Sequence, residues 1–209
     1  MWDASHVTTS MGSGDEATDQ HVSDAQAGDE YAFGVLYRNL HPPLLRYLRV
    51  LVGTDAEDVA AETWVQVCRD LRRFHGGLPA FRGWVTTIGR NRALDHLRAA
   101  RRRPVSLAPP EEITMSTTVP DVAEVVASTL ATRDALEMVA SLPREQAEAI
   151  MLRVVLDLDA NTAGAILGRR AGAVRTAAHR GLRALARRME EDRTRERDGS
   201  AGTGGGSNA

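Results

Sequence analysis

The sequence predicts an all-α protein made of two small helical domains joined by a flexible linker. Apolar residues recur at helical spacing in two blocks, residues 29–103 and 131–189, and no stretch shows strand alternation with hairpin turns. The segment between them, residues 104–130, contains a proline pair, a threonine run and no basic residue, which is typical of a linker with helical character towards its end. We expect the polar residues 1–28 and 190–209 to be disordered tails.

Composition restricts the possible cellular compartments and partners of the chain. Hydrophobic residues make up 43% of its 209 residues, enough for a core in each domain. All 26 basic side chains are arginine, and they concentrate around residues 82–103 and 169–188, so local charge is more informative than the net charge of -2. The single cysteine, Cys68, and the lack of an export signal or long apolar run predict a cytoplasmic protein without membrane insertion.

The first block predicts three helices. Residues 33–51 follow helical spacing up to Gly53, and we expect Pro42 and Pro43 to break that first helix. The Thr54–Glu57 run has the pattern of a capping box and predicts a second helix that ends near Leu71 and places Cys68 in the core. A loop over residues 74–79 then precedes a long helix from about Ala80 to Arg102.

This long helix has a composition suited to nucleic acid. Arginines are interleaved with an aromatic and an amide side chain, a mixture that can follow a phosphate backbone and stack on unpaired bases. The alternative is that Trp84 belongs to the core and that the arginines at the end of the helix are solvated and complement its dipole. The residues concerned are Arg82, Trp84, Arg90, Asn91 and Arg98.

The second block has the pattern of a helix-turn-helix. Pro143 lies in the first turn of a helix over residues 143–156, and Asp159 caps the next helix, which ends at Gly168. A turn then leads to a last helix with one apolar face and one arginine-rich face, as in a DNA recognition helix. On the polar face lie Arg175, Thr176, His179, Arg180 and Arg183.

These runs resemble the extracytoplasmic-function (ECF) group of the sigma-70 family of RNA polymerase sigma factors. The run Asp55–Trp64, followed by Phe81-Arg82-Gly83-Trp84 and Arg90-Asn91, is similar to conserved region 2 of that group. Region 4 of that group is similar to three further runs, Leu142–Glu145, Ala165–Gly168 and Gly172–Arg175. The two blocks occur in the family's order with a linker between them, so the resemblance is far more specific than either motif alone.

The resemblance implies roles for particular residues. Asp58 and Glu62 match the surface that docks on the core RNA polymerase. Region 4 would read the minus-thirty-five element of promoter DNA with Arg175, Thr176, His179, Arg180 and Arg183. The minus-ten element would be captured by a specificity loop that takes up a flipped base, and by the helix after it. The residues that match this surface are His75, Gly76, Gly77, Leu78, Arg82, Trp84, Arg90, Asn91 and Arg98.

As a whole, the resemblance implies an initiation factor that directs core RNA polymerase to promoters and helps melt the DNA. It implies no catalytic residue, metal or cofactor, and it predicts core polymerase, promoter DNA and an anti-sigma protein as partners. The acidic linker, with Glu111, Glu112, Asp121 and Glu124, would thread the polymerase's RNA path. A pull-down that returned only polymerase subunits would count against the anti-sigma partner.

The chain also departs from the family pattern. The specificity loop reads His-Gly-Gly-Leu where many relatives have Arg-Gly and an acid. Ala163 and Gly164 replace a bulkier pair, which predicts a second domain of marginal stability, and Ala177 replaces a common basic residue. The alternative function is a helix-turn-helix regulator that binds duplex DNA without polymerase, with residues 29–103 as a sensor or dimerisation domain.

Overall fold

The computed structural model describes the backbone of residues 13–102 and 122–201 and the side chains of residues 19–102 and 131–195. These residues form helices and connecting turns, and no strand occurs among them, so the predicted fold class is confirmed. The acidic linker residues Glu111, Glu112 and Asp121 lie outside the described residues. The helices are α1 (Ser13–Ala27), α2 (Glu30–Val52), α3 (Ala56–Asp70), α4 (Leu78–Arg102), α5 (Val122–Ala140), α6 (Arg144–Ile150), α7 (Ala160–Leu167) and α8 (Ala171–Ala201).

The first domain is built on α2, α3 and α4. Asp29 caps α2 because its carboxylate accepts hydrogen bonds from the amides of Tyr31 and Ala32, at 2.8 and 3.1 Å. The buried faces of the three helices meet in one core, whose largest fully buried side chains are Tyr47 from α2 and Phe81 from α4. The core orients the outer faces of α3 and α4, which hold the candidate functional residues.

Helix α2 continues through Pro42 and Pro43, so the predicted break at the two prolines is wrong. Each proline removes a backbone donor and crowds the carbonyl four residues earlier, at a cost of about 3 kcal/mol. The buried side chains on both sides of the pair, including Leu40 and Leu44, keep the helix on the core. Tertiary packing therefore overrides local propensity here.

The predicted capping box at the start of α3 is not formed. Residues Gly53–Asp55 make a 3₁₀ turn instead, and no side chain caps the helix from Asp55. The Glu57 carboxylate accepts from Arg49 at 2.8 Å, and Asp55 lies 2.7 Å from the His96 ring. Gly53 ends α2 as predicted, with a φ of 65°.

The predicted N-terminal tail, residues 1–28, contains helix α1, so the expectation of disorder is wrong for residues 13–27. Val22 and Ala25 are buried against the first domain, and Gln26 donates to two backbone carbonyls of the segment before α4. Two buried side chains in a polar sequence are too few to give a clear hydrophobic period. The C-terminal boundary also moves, because α8 extends to Ala201 rather than ending near residue 189.

Cys68 is exposed, so the prediction that it belongs to the core is wrong. Trp64 and Val67 on α3 are buried, as is Leu71 immediately after the helix. Cys68 lies one position away from Val67 on the helix, which turns it away from the core.

The second domain packs α6 and α7 against α8. Helix α6 ends at Ile150 and is followed directly by a π-helical turn over Met151–Val155. The helix predicted over residues 143–156 therefore changes geometry in its second half. Helix α7 ends at Gly168, as predicted, and this glycine adopts the left-handed conformation. A Cβ at Gly164 would lie 2.6 Å from the Arg169 carbonyl oxygen, so a tight turn explains this glycine.

Asp159 caps α7 as predicted. Its carboxylate accepts from the amides of Asn161 and Thr162 and from the Thr162 hydroxyl, at 2.8, 3.1 and 2.5 Å. Partial burial works against the charged form, but these hydrogen bonds outweigh it, so the pKa of Asp159 is lowered. The cap therefore stabilises the fold above the carboxyl's unfolded pKa of about 4, and this contribution is lost as the pH falls.

We expect Asp159→Ala to lower the free energy of unfolding at neutral pH by about 1 kcal/mol, because the cap is lost. Denaturant unfolding of the full chain measures this difference, which should shrink as the pH is lowered through the Asp159 pKa. The control is Asn161→Ala, since Asn161 contributes its backbone amide to the cap and should change stability by no more than about 0.5 kcal/mol. Equal effects of the two substitutions would contradict this account.

Candidate promoter and polymerase interface

The outer face of α3 combines acidic and apolar side chains. Asp58 and Glu62, the two candidates for the polymerase-binding surface, are four residues apart and both exposed. Val65, one turn further on, is 50% exposed although it is a large hydrophobic residue. Asp58, Glu62 and Val65 therefore leave an acidic and partly apolar face of α3 open to a partner.

The candidate specificity loop lies between α3 and α4. His75 and Gly76 are exposed, and Gly77 and Leu78 are partly buried. Gly76 has a φ of 132°, and a Cβ there would lie 2.8 Å from the Ala80 Cβ, so only glycine fits this turn. The base of the loop is formed by Phe74, whose ring packs on Phe81 and Trp84 with centroids 5.5 and 5.0 Å away.

The candidate residues on α4 divide between two faces of the helix. Trp84, Asn91 and Arg98 are spaced by seven residues, so they lie on one side. Asn91 and Arg98 are exposed there, while Trp84 is partly buried under the loop rather than free to stack. Arg82 and Arg90 lie on a different face, which is covered by the second domain.

The second domain holds the covered face of α4 through two ion pairs and a close backbone contact. Arg82 Nη1 donates to the carbonyl and the carboxylate of Asp157, each at 3.4 Å. Arg90 Nη2 donates to the Glu148 carboxylate at 3.2 Å. A Cβ at Gly83 would lie 2.8 Å from the Thr162 methyl carbon, so glycine permits this approach.

Glu148 is the buried centre of the contact between the domains. Its side chain is 5% exposed and accepts from Arg144 as well as Arg90, both at 3.2 Å. The buried Tyr47 hydroxyl lies close by, and its pKa is raised by burial and further by the Glu148 carboxylate. Because a buried carboxylate is stable only when it is paired, Glu148 ties the position of α6 to Arg90 of α4.

The candidate recognition helix is the first half of α8. Its five candidates Arg175, Thr176, His179, Arg180 and Arg183 are all exposed and occupy one side of the helix. Val174 and Ala178 lie on the opposite side and are buried against α6 and α7. The contact with α4 therefore leaves this arginine-rich face open. The Thr176 hydroxyl donates to the Gly172 carbonyl at 3.0 Å.

Sequence reasoning missed the second domain's partners for Arg82 and Arg90. Glu148 lies in the apolar run Ala147–Leu152, and a charged residue in such a run is a signal of a buried ion pair. Asp157 gave no comparable signal, because its role follows from a φ of 49° and from a contact 75 residues away in sequence.

The described residues hold no group of three His, Cys, Asp or Glu side chains placed to bind a metal ion. Within the same residues, no helix is both long enough and apolar enough to cross a membrane.

Two protein-family models match the chain. The model for sigma-70 region 2 matches residues 36–103, which include α3 and α4. The model for sigma-70 region 4 matches residues 132–185, which include α7 and the first half of α8.

Several ECF RNA polymerase sigma factors are similar in sequence. ShbA of Streptomyces griseus is 35% identical over 174 residues, which are 78% of this chain and 91% of ShbA. SigD of Mycobacterium tuberculosis is 31% identical over 188 residues, 86% of this chain and 87% of SigD. BldN of Streptomyces coelicolor is 30% identical over 173 residues, 82% of this chain but 65% of BldN.

A solved structure with a similar fold is that of CnrH in complex with the cytosolic domain of CnrY. It superposes with a TM-score of 0.59 and 24% sequence identity, over 84% of this chain and 99% of that chain. The similarity extends over both helical domains.

We expect Glu148→Gln to lower the free energy of unfolding by about 2 kcal/mol, because Arg90 and Arg144 lose a buried counter-charge. Denaturant unfolding measures the loss. Glu145→Gln is the matched control. Glu145 is also on α6, but its ion pair with Arg169 is exposed to solvent, so this pair should contribute about 0.5 kcal/mol or less to the free energy of unfolding. Combining Glu148→Gln with Arg90→Gln should cost less than the sum of the two single changes, and strict additivity would contradict the pairing.

Proposed function

Because the chain belongs to the ECF group of sigma-70 family RNA polymerase sigma factors, we propose that it binds core RNA polymerase and directs promoter recognition, DNA melting and initiation. The observation that supports this most strongly is an exposed acidic face on α3 in the same chain as two separate surfaces suited to DNA. A sigma factor needs one surface for the polymerase and two surfaces for promoter DNA. The chemistry of RNA synthesis belongs to the polymerase, so we propose no catalytic residue and no cofactor in this chain.

We propose that Asp58 and Glu62 dock on the core polymerase. Their charge suits a basic partner surface, and the exposed Val65 beside them offers apolar area that docking would bury. Asp58 lies in the first turn of α3, where its charge also favours the helix dipole. The two roles are compatible because both leave the carboxylate exposed.

The minus-ten element is bound, in this proposal, by the loop His75–Leu78 together with Trp84, Asn91 and Arg98. The loop offers partly exposed apolar surface and backbone groups for a flipped base, and Asn91 and Arg98 offer donors for the adjacent strand. Arg82 and Arg90 reach the phosphates only after Asp157 and Glu148 release them. The two domains must therefore separate for the complete surface to form.

The minus-thirty-five element is bound by the arginine-rich face of α8. Arg175, Arg180 and Arg183 can fork onto guanine edges or phosphates, and Thr176 and His179 lie between them. This face is open even while the domains are in contact. We propose that it remains available for duplex DNA before the domains separate.

A regulator that acts without polymerase would use the same α8 face, but it would have no use for the acidic and apolar face of α3. We therefore favour the sigma factor. We also propose that the protein acts in the cytoplasm, where the polymerase is, and that an anti-sigma protein holds it inactive until a signal arrives.

Reversing the charges of the acidic face tests the docking on polymerase. We expect Asp58→Arg with Glu62→Arg to reduce promoter-dependent transcription by more than about tenfold, since like charges across an interface cost several kcal/mol. Run-off transcription with Streptomyces coelicolor core polymerase measures the loss, and co-purification with the core locates it. The control is Asp134→Arg, an exposed acid on α5. A loss of similar size in the control would contradict the assignment.

Removing one recognition arginine tests the face of α8. Arg180→Ala should weaken promoter binding by the holoenzyme about tenfold, the factor expected for a lost base or phosphate contact. Promoter binding is measured by filter retention at several salt concentrations. Arg193→Ala removes the same side chain from the distal part of the same helix and should leave affinity within about twofold. Equal losses would place the DNA elsewhere.

A further inference from the structure

We propose that α1 positions the specificity loop, and that Asp19 and Gln26 set how strictly the loop distinguishes the base it accepts. This inference rests on the proposed function, because it gives the loop His75–Leu78 its role in reading the minus-ten element. Neither residue belongs to the segments that resemble region 2. Both reach the loop from about 45 to 60 residues earlier in the chain.

Gln26 fixes the start of the loop. Its amide Nε2 donates to the Leu71 carbonyl at 2.9 Å and to the Phe74 carbonyl at 2.6 Å. These carbonyls lie at the two ends of the 3₁₀ turn that leads from α3 into the loop. One side chain therefore holds the segment through two hydrogen bonds.

Asp19 fixes the end of the loop. Its Oδ1 accepts from the amide of Leu78, the first residue of α4, at 2.5 Å. Amides in the first turn of a helix have no partner within the helix, so a carboxylate there is favoured both by the hydrogen bond and by the helix dipole. The cap for α4 therefore comes from a distant helix rather than from the loop itself.

The glycine at position 77 is explained by this contact. A Cβ there would lie 2.5 Å from both carboxylate oxygens of Asp19. Gly77 does not have a positive φ, unlike Gly76, so its own backbone conformation does not require glycine. The second glycine of the His-Gly-Gly-Leu run leaves room for the Asp19 carboxylate, which an added Cβ would displace from the Leu78 amide.

Helix α1 is held in place independently of these contacts. Val22 and Gln26 follow Asp19 by three and seven residues, so all three side chains lie on one side of α1. Val22 is 1% exposed and anchors that side on the first domain. The buried valine presents the two polar side chains to the loop from a fixed position. A loop held at both ends loses less conformational entropy when it captures a base, and it tolerates fewer alternative fits.

The experiment uses promoters randomised at the minus-ten element and transcribed by holoenzyme carrying wild-type protein, Asp19→Ala or Gln26→Ala. We expect Asp19→Ala to reduce discrimination between preferred and non-preferred bases about fivefold, the factor for one lost hydrogen bond. Gln26→Ala removes two hydrogen bonds and should reduce discrimination at least as much. Binding to core polymerase should not change, which also shows that the variants are folded. Asp19→Asn keeps an acceptor oxygen for the Leu78 amide and should restore discrimination.

A uniform loss of transcription across all minus-ten sequences, or unchanged discrimination, would overturn the proposal. Gly77→Ala supplies a second test, because its added methyl group collides with Asp19. Its defect should be smaller when it is combined with Asp19→Ala than when it is introduced alone. Equal defects in the two backgrounds would count against the contact.

Hydrogen exchange of the protein without polymerase separates this proposal from the proposed function. Asp19→Ala should speed exchange of the Leu78 amide, and unchanged exchange would contradict the positioning role whatever the protein does. If wild-type protein instead supported no promoter-dependent transcription while Asp19→Ala still increased the exchange rate of the Leu78 amide, the sigma function would be wrong. The positioning of the loop by α1 would still stand.

Discussion

Close packing of α4 against both domains is the constraint on which the other features depend. Gly89 lets α4 approach α2 and α3, because a Cβ there would lie 3.0 Å from the Leu44 methyl group. Gly83 allows the equivalent approach of Thr162 in the second domain. With both sides of α4 occupied, its only open face is the one with Asn91 and Arg98, which continues from the specificity loop. If promoter DNA binds α4 as we propose, it must approach from this open face.

The contact between the domains uses two arginines that we propose meet DNA when the domains separate. Glu148 and Asp157 present carboxylates to Arg90 and Arg82, and in the proposed function DNA phosphates replace these carboxylates. Arginine pairs with either anion, so exchange of one for the other requires little change in the side chains themselves. The recognition face of α8 takes no part in this exchange. The proposed surface for the minus-thirty-five element therefore stays open while the proposed surface for the minus-ten element is partly covered.

Local patterns were sufficient to predict the all-α class, the caps at Asp159 and Gly168 and the exposed face of α8. They failed where the deciding partner is distant in sequence. The prolines at positions 42 and 43 are tolerated because of core packing around them, and α1 is ordered by Val22 and by contacts from Gln26 to residues more than 40 positions away. The covering of Arg82 and Arg90 depends on the second domain, which no spacing rule within α4 can reveal.

The most direct test of the sigma function is transcription from a pooled library of genomic fragments from the source organism by core RNA polymerase, with and without this protein. We predict discrete start sites that appear only with the protein and share two upstream elements. If no such starts appear while the protein binds duplex fragments without polymerase, the chain acts as a conventional helix-turn-helix regulator and the central claim is wrong.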